Sequence, residues 1–539
     1  MSDPHNLQLG NQSEVAFSRA PAQNEILKQL THPKAWDSEA TRVDTIETHI
    51  SHVFLVGDRA YKVKKAIQTD YLDYSTLEKR KRFCEEQVRL DSRFAPGLYL
   101  GVVRICQNPF GQVSIATHGP VVEYAVEMRR FETRDSLAQR VDDGFVTNEH
   151  IRRIAQTIGR FHLAATVCDP EESQAAIDRV PDSMKKVIDG IDVRAGSERA
   201  ATVSTIRVWA ETYFRRHEDD FRMRAKQRSI RECHGDLHLN NIVHWRGKDV
   251  PFDGIEFSDD LRKIDVLSDA AFLAMDLAAH GHCDGSRSFI SEYLDTTGDH
   301  DSIATLRWYM VYRALVRAMV CSTSAAQHRS FQRSGDHQQA CDRYIQLAYR
   351  FSPKDRPAVH ITYGPSGSGK TTISELVVQR YGAIRLRSDI ERKRECGVPT
   401  HRPATDAEKL RLYTPETNDS TYARLKTLTQ KIVRAGYPVV VDATFLRRSD
   451  RKQFEDLAAA EGAHFAILDC RVRPDTLRRR IQHRQRSGRD ISDADLSVLN
   501  EQLKSGDPLT DAERRFVVDI PEAAREPANG FLRLGDSSD

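Results

Sequence analysis

The sequence predicts two successive folds, an α+β half followed by an α/β half built on a parallel sheet. Three observations carry this. Strand patterns crowd into residues 52–131 and give way to helical patterns near Asp135, the segregated order of an α+β domain. From residue 358 onward, short apolar strands alternate with helices, the order of a parallel α/β sheet. At the start of that second region, 364–371 reads Gly-Pro-Ser-Gly-Ser-Gly-Lys-Thr and fits the phosphate-loop pattern G-x-x-x-x-G-K-[ST].

Composition bounds the rest. At 539 residues the chain is too long for one core, so two or three domains are expected. Eighty Lys and Arg nearly cancel 78 Asp and Glu, which excludes a chain that binds polyanions over its whole surface. Nine scattered cysteines form no C-x-x-C pair, which suits reduced thiols and a cytoplasmic setting. Residues 1–20 hold no continuous apolar run, so no signal peptide is expected. No stretch approaches the roughly 18 apolar residues that span a bilayer, so no membrane partner is expected.

In chain order, a short helix at 23–30 precedes strands at 52–56 and 60–64, joined by a tight turn at Gly57-Asp58. Lys62 and Lys64 sit two apart, on one face of the second strand. Ser75-Thr-Leu-Glu78 reads as a capping box opening a helix to about Arg93. On it Leu77, Cys84 and Val88 form an apolar stripe flanked by Glu78 and Glu85. Strands follow near 101–106, 113–116 and 122–131, then helices, including 151–165.

The stretch 234–243, His-Gly-Asp-Leu-His-Leu-Asn-Asn-Ile-Val, is the next informative one. A kinase site needs an Asp to orient the acceptor hydroxyl and an Asn five residues on for Mg²⁺; Asp236 and Asn241 have that spacing. A further carboxylate must enter from a neighbouring strand, and Asp253 and Glu256 both qualify. The helix at 303–321 carries Arg313 and Arg317, read first as structural partners of Asp265, Asp269 or Asp276, with a pocket for an anionic or sugar-phosphate acceptor as the other reading.

Residues 351–357, with two prolines and few apolar side chains, read as a linker between a first domain at 1–350 and a second at 358–539. In the second, strand 358–363, the glycine loop and a helix at 371–380 place backbone N–H groups around a phosphate at a positive helix end. Gly364, Pro365, Ser366, Gly367, Ser368, Gly369, Lys370, Thr371 and Thr372 make up this cradle; Lys370 reaches the β- and γ-phosphates and Thr371 ligates Mg²⁺. A second strand, 384–386, leads to Arg387-Ser-Asp389. Thr414 with Pro415 opens a helix that Gly436 ends. The strand 439–442 closes on Asp442, the Walker-B-like carboxylate. A strand at 465–470 precedes a helix at 474–486 rich in arginine, and Ser492 to Asp495 caps the next.

On His234-Gly-Asp-Leu-His-x-x-Asn241, residues 1 to about 349 resemble the aminoglycoside phosphotransferase-like family, which has a two-lobed protein-kinase-like fold. The resemblance implies ATP and Mg²⁺ as cofactors, with Asp236 as catalytic base. It assigns Mg²⁺ to Asn241 with Asp253 or Glu256, and the phosphates to Lys62 or its rival Lys64. It makes Glu85 the helix partner of that lysine and 123–128 the hinge beside adenine. The turn at 48–52 departs from the pattern because it contains no glycine. Residues 358–539 resemble P-loop small-molecule and polynucleotide kinases, the group around gluconate kinase and chloramphenicol phosphotransferase. That implies Asp389 as the acceptor-activating residue, with Arg387 or Arg392 near the phosphates. Arg480 and Arg484, four apart on one helix face, then act as lid arginines over the moving phosphate. The fusion resembles bifunctional aminoglycoside phosphotransferase/ATP-binding proteins. It implies two ATP-dependent kinase sites acting on small-molecule hydroxyl groups. Two alternatives stand beside this: a nucleotide-responsive protein with one degenerate half, and a polynucleotide 5′-kinase in the C-terminal half. The arginine-rich segment lacks interleaved aromatics for base stacking, so nucleic acid ranks below a small-molecule acceptor.

Overall fold

Six strands form the first sheet: β1 Val43–Glu47, β2 Ser51–Val56, β3 Arg59–Lys64, β4 Tyr99–Gln107, β5 Val113–Ile115 and β6 Val121–Arg129. In the computed structural model the described residues are 21–36, 41–69, 71–115, 118–192, 197–327, 331–352, 357–487 and 496–518. Their contacts separate two compact units. The first comprises 1–139, 234–236 and 240–262; the second comprises 140–233, 237–239 and 263–539.

The first unit orders its strands β1-β2-β3-β6-β4-β5, every pairing antiparallel. Gly57, at φ 58°, makes the expected turn between β2 and β3. One sheet face packs Phe54, Tyr61 and Ile105 on Trp36 and on Leu27 and Leu30 of the Pro21–Leu30 helix. Another cluster joins Cys84, Val126 and Met128 to Val243 and Val250, which belong to a hairpin of β8 Ile242–Trp245 and β9 Lys248–Pro251. Three expectations change here. The edge strand β1 has no apolar alternation strong enough to be read from sequence. The Leu77–Asp91 helix is capped by Thr76, whose hydroxyl accepts the Lys79 N–H, rather than by Ser75. Residues 123–128 lie inside β6, paired with both β3 and β4, so they are strand and not a hinge.

The second unit holds a short ladder of β7 Ile230–Glu232 and β10 Lys263–Asp265 and a group of helices. These include Asn148–Ala164, Val266–Ala279, Cys283–Thr297, Ala304–Gln327 and Phe331–Phe351. Val266–Ala279 is buried nearly all round, as its apolar run demands. The same unit contains a five-stranded parallel sheet: β11 Ala358–Tyr363, β12 Ile384–Arg387, β13 Val439–Asp442, β14 His464–Asp469 and β15 Val517–Val518. Their order is β12-β13-β11-β14-β15. All four residues of β13 are buried, which is why Val-Val-Val reads as a central parallel strand. Thr414 caps the Pro415–Arg434 helix as expected. The chain therefore has an N-terminal region built on an antiparallel sheet with helices, and a C-terminal region whose parallel sheet carries the glycine-rich loop at 364–371. Residues 353–356 of the expected linker and the expected cap at 492–495 lie outside the described residues.

The carboxylates expected beside Arg313 and Arg317 meet other groups as well. Asp265 pairs with Arg224, and Asp269 takes the His162 ring at 3.2 Å. Asp276 accepts the Tyr344 hydroxyl at 3.0 Å, and Tyr344 also meets Arg317 at 3.4 Å. Arg313 donates to Ser268 and covers the Phe272 ring.

Candidate active sites

In the first unit the two lysines of β3 point the same way, as their spacing requires, yet each takes its own acid. Lys62 pairs with Asp253, and Lys64 pairs with Glu256. The surroundings separate the two pairs. Glu256 is 3% exposed and also accepts the Tyr74 hydroxyl, so it is closed in. Asp253 is partly exposed, sits at φ 62°, and follows the hairpin. The Tyr99 hydroxyl accepts its N–H at 2.9 Å, and Asp91 accepts that of Gly254 at 2.9 Å.

Gln87 ties the pairs together. Its amide nitrogen donates to Asp253 at 2.7 Å, and its oxygen accepts from Lys64 at 3.0 Å. Glu85 does not take part. It projects from the exposed side of its helix toward Lys81, 3.7 Å away. The helix phase explains this, since the face turned to the sheet carries Arg80, Cys84, Gln87, Leu90 and Asp91. Glu123 of β6, fully buried, pairs with Arg80 at 2.9 Å.

Asp236 and Asn241 come together as their spacing predicts, the Asn241 amide donating to the Asp236 carboxylate at 3.0 Å. His234 braces the loop: its Nε2 meets the Phe252 carbonyl at 2.9 Å, and its Nδ1 accepts the Asp236 N–H at 3.3 Å. Gly235, at φ 87°, has no room for a Cβ, which would lie 2.7 Å from the Leu261 carbonyl. Burial pulls the Lys62 pKa down, but Asp253 and Glu256 outweigh it and leave it raised. Burial pushes Asp253 up, and Lys62 and Lys64 outweigh that to leave it lowered. Burial, with the Asp253 charge beside it, pushes Asp91 up to about 7. The glycine-free turn at 48–51 is closed by the Thr48 hydroxyl, which accepts the Ser51 N–H at 3.0 Å; Lys65 donates to the Thr48 carbonyl.

In the second unit the loop between β11 and the Lys370–Tyr381 helix has Gly364, Gly367 and Gly369 at φ 150°, 82° and 94°. The helix starts on Gly369 with no side-chain cap, and a helix start of this kind suits an anion. The arginine helix, Pro474–Ser487, lies against this loop. A Cβ on Gly367 would stand 3.2 Å from Ile481 and 3.3 Å from the Leu477 carbonyl. Arg480 reaches the Gly367 carbonyl at 3.4 Å. The Arg484 side chain lies outside the described residues. Lys370 donates to the Pro365 carbonyl at 2.8 Å. Thr371 and Thr372 are exposed at the helix start. Ser374, one turn on, donates to the buried Asp442 at 3.3 Å.

Asp389 lies in the Ser388–Glu395 helix, 3.3 Å from Arg392. Arg392 also meets Asn418 at 3.3 Å and faces the Tyr413 ring. One participant had no sequence signal. Gln502, in the Leu496–Ser505 helix, accepts the Ser366 N–H at 2.8 Å. It lies 136 residues from the loop it touches.

The AAA domain family matches residues 359–509. Over 436 residues, 80% of this chain and 83% of the relative, the chain is 29% identical to the uncharacterized protein Rv2004c of Mycobacterium tuberculosis (strain ATCC 25618 / H37Rv). Among solved structures it is similar to choline kinase from Cryptosporidium parvum Iowa II, at 12% identity and TM-score 0.36, over 61% of this chain and 96% of that one. It is also similar to a gluconokinase from Sinorhizobium meliloti 1021, at 22% identity and TM-score 0.21, over 31% of this chain and 82% of that one. Among the described residues, no helix is long and apolar enough to cross a membrane.

Proposed function

We propose that this chain is an ATP-dependent phosphotransferase with two kinase-type sites, one in residues 1–350 and one in 358–539, each acting on a small-molecule hydroxyl group. The observation that carries it is the docking of Arg480 on a loop of three positive-φ glycines that opens a helix on Lys370. Such a loop binds phosphate through its amides, and a cation over it offsets charge on the equatorial oxygens during transfer.

In the second site Lys370 would leave the Pro365 carbonyl for the phosphates, and Asp389 would orient the acceptor hydroxyl. Arg387 and Arg392 would face anionic groups of donor or acceptor. In the first site Lys62 would hold the phosphates and Asp236 would take the hydroxyl proton. Lys64, Glu256, Tyr74 and Gln87 form the buried support of that array. The donor sets fit Mg²⁺, being hard oxygens: Asn241 and Asp253 in one site, Thr371 and Asp442 in the other. Glu256, closed in with Lys64, is the weaker of the two acids considered. Held by those residues, Mg²⁺ would supply positive charge against the anionic phosphates. The assembled Lys62–Asp253–Gln87 contacts weigh against a first half that only regulates.

The test is a metabolite-extract screen with labelled ATP on wild type and two variants. Asp236→Asn is expected to remove one set of labelled products and Lys370→Ala another. If both variants label every product that wild type does, the proposal fails.

A further inference from the structure

Strand β12 delivers the chain to Arg387 and Asp389, and it is held by acids from outside the 359–509 segment. Arg385, 3% exposed, donates to Glu375 of the P-loop helix at 2.8 Å and to Asp295 at 3.2 Å; Glu292 stands 3.9 Å away. Asp295 and Glu292 belong to the Cys283–Thr297 helix. Arg387, two residues on and so on the same strand face, has its guanidinium 3.9 Å from the same Asp295 oxygen. The Asp295 carbonyl accepts from Arg394 at 2.8 Å, at the far end of the helix that carries Asp389.

Glu375 completes the frame. It accepts Ser288 at 3.2 Å and pairs with Arg152 at 3.3 Å, from two helices that precede the P-loop region. Arg287 donates to the Arg380 carbonyl at 3.0 Å, at the negative end of the P-loop helix. One buried carboxylate, Asp295, thus joins the strand end that carries Arg387 to the helix that starts at Lys370, through Arg385 and Glu375.

We infer that Asp295, a residue of the N-terminal kinase-like region, is a positioning residue for the second site, setting Arg387 and the Asp389 turn relative to the phosphate loop. The inference rests on the phosphotransfer reading of that site. It means that the second reaction depends on a helix which the P-loop segment itself does not contain.

The test uses the full chain in an Asp236→Asn background, which silences the first site and leaves Lys370-dependent turnover to be followed. Asp295→Asn keeps the shape and removes the charge. Misplacement of about 1 Å at a reacting group can cost about a hundredfold in rate, so kcat is expected to fall about ten- to a hundredfold. The KM for ATP is expected to stay within about twofold, since the loop amides and Lys370 keep their places. Asp295→Glu, which keeps the charge, should recover part of the loss. In an Arg387→Ala background, Asp295→Asn should cost much less than it does alone. Unchanged kcat in Asp295→Asn, or kcat and ATP binding lost together, overturns the inference. If Asp295→Asn does not fold, Asp295→Glu serves as the readout: a reduced kcat at unchanged KM for ATP supports the inference, and full activity overturns it. A parent protein without any Lys370-dependent turnover removes the phosphotransfer reading instead, and with it the site that Asp295 would position.

Discussion

Lys62 and Lys64 differ by one turn of the pleat and by what encloses their acids. Removing Lys62 leaves Asp253 with the Gln87 amide and partial solvent access, so the fold should tolerate Lys62→Met. First-site turnover should fall about 10²- to 10³-fold, the scale of losing one charge-stabilising group. Lys64→Met instead strands Glu256 in the interior, where breaking a buried pair costs about 3–5 kcal/mol. Urea unfolding of both variants, with turnover measured beside it, separates the roles; equal stability loss in the two would contradict them. The sequence placed both lysines and both acids at one site but could not pair them, because the pairing depends on burial. Glu85 misled for a related reason. The family resemblance assigns Glu85 to the lysine, whereas the inward stripe through Cys84 selects Gln87, three residues on. That stripe was readable, and Gln87 belongs to it, but an amide carries no charge to draw the eye.

Strands and helices whose apolar runs are strong were legible. β2, β3, β11 and β13 stand within a residue or two of their expected bounds, because alternation or full burial dictates them. The edges β1 and β15 were not, since an edge strand needs little apolar surface and leans on its neighbour. The contact of the arginine helix with the phosphate loop was legible as chemistry alone; its geometry adds Gly367. At φ 82° an alanine there is strained by about 1–2 kcal/mol, and its methyl would meet Ile481 and the Leu477 carbonyl. Gly367→Ala is therefore expected to push the arginine helix off the loop and weaken binding of a fluorescent ATP analogue about tenfold. Arg480→Ala should leave that binding within about threefold and lower second-site turnover about 10²- to 10³-fold. Titration and single-turnover rates on the two variants test this, and a binding defect confined to Arg480→Ala would reverse the assignment.

At the scale of the whole chain, the second unit pairs charges where helices of the N-terminal region meet the parallel sheet and its helices. Asp301 pairs with Arg424 at 2.8 Å and Lys431 at 2.6 Å, and Arg307 donates to the Gly436 carbonyl while covering the Tyr437 ring. No sequence motif announces such contacts, since each joins residues more than a hundred positions apart. Among these groups His300 is 0% exposed, and among the described residues neither ring nitrogen has a hydrogen-bond partner. Burial drives its pKa down to about 4, against the opposing pull of Glu391 and Asp299; Arg394 and Arg424 push the same way as burial. The sign follows directly. The folded form holds a neutral imidazole, so its contribution is complete above the ordinary value of 6.5 and is lost as pH falls from 6.5 toward 4. That loss amounts to about 3 kcal/mol over the full window. Asp295 runs the other way, because burial raises it to about 6: its cost is relieved as pH falls from 6 toward 3.8. Wild type should therefore lose only the difference from this pair of groups on acidification. His300→Gln, which cannot be protonated, should lose about 3 kcal/mol less than wild type between pH 7 and pH 4. Urea unfolding at the two pH values measures this, and parallel losses in the two proteins would show that His300 is not neutral in the fold.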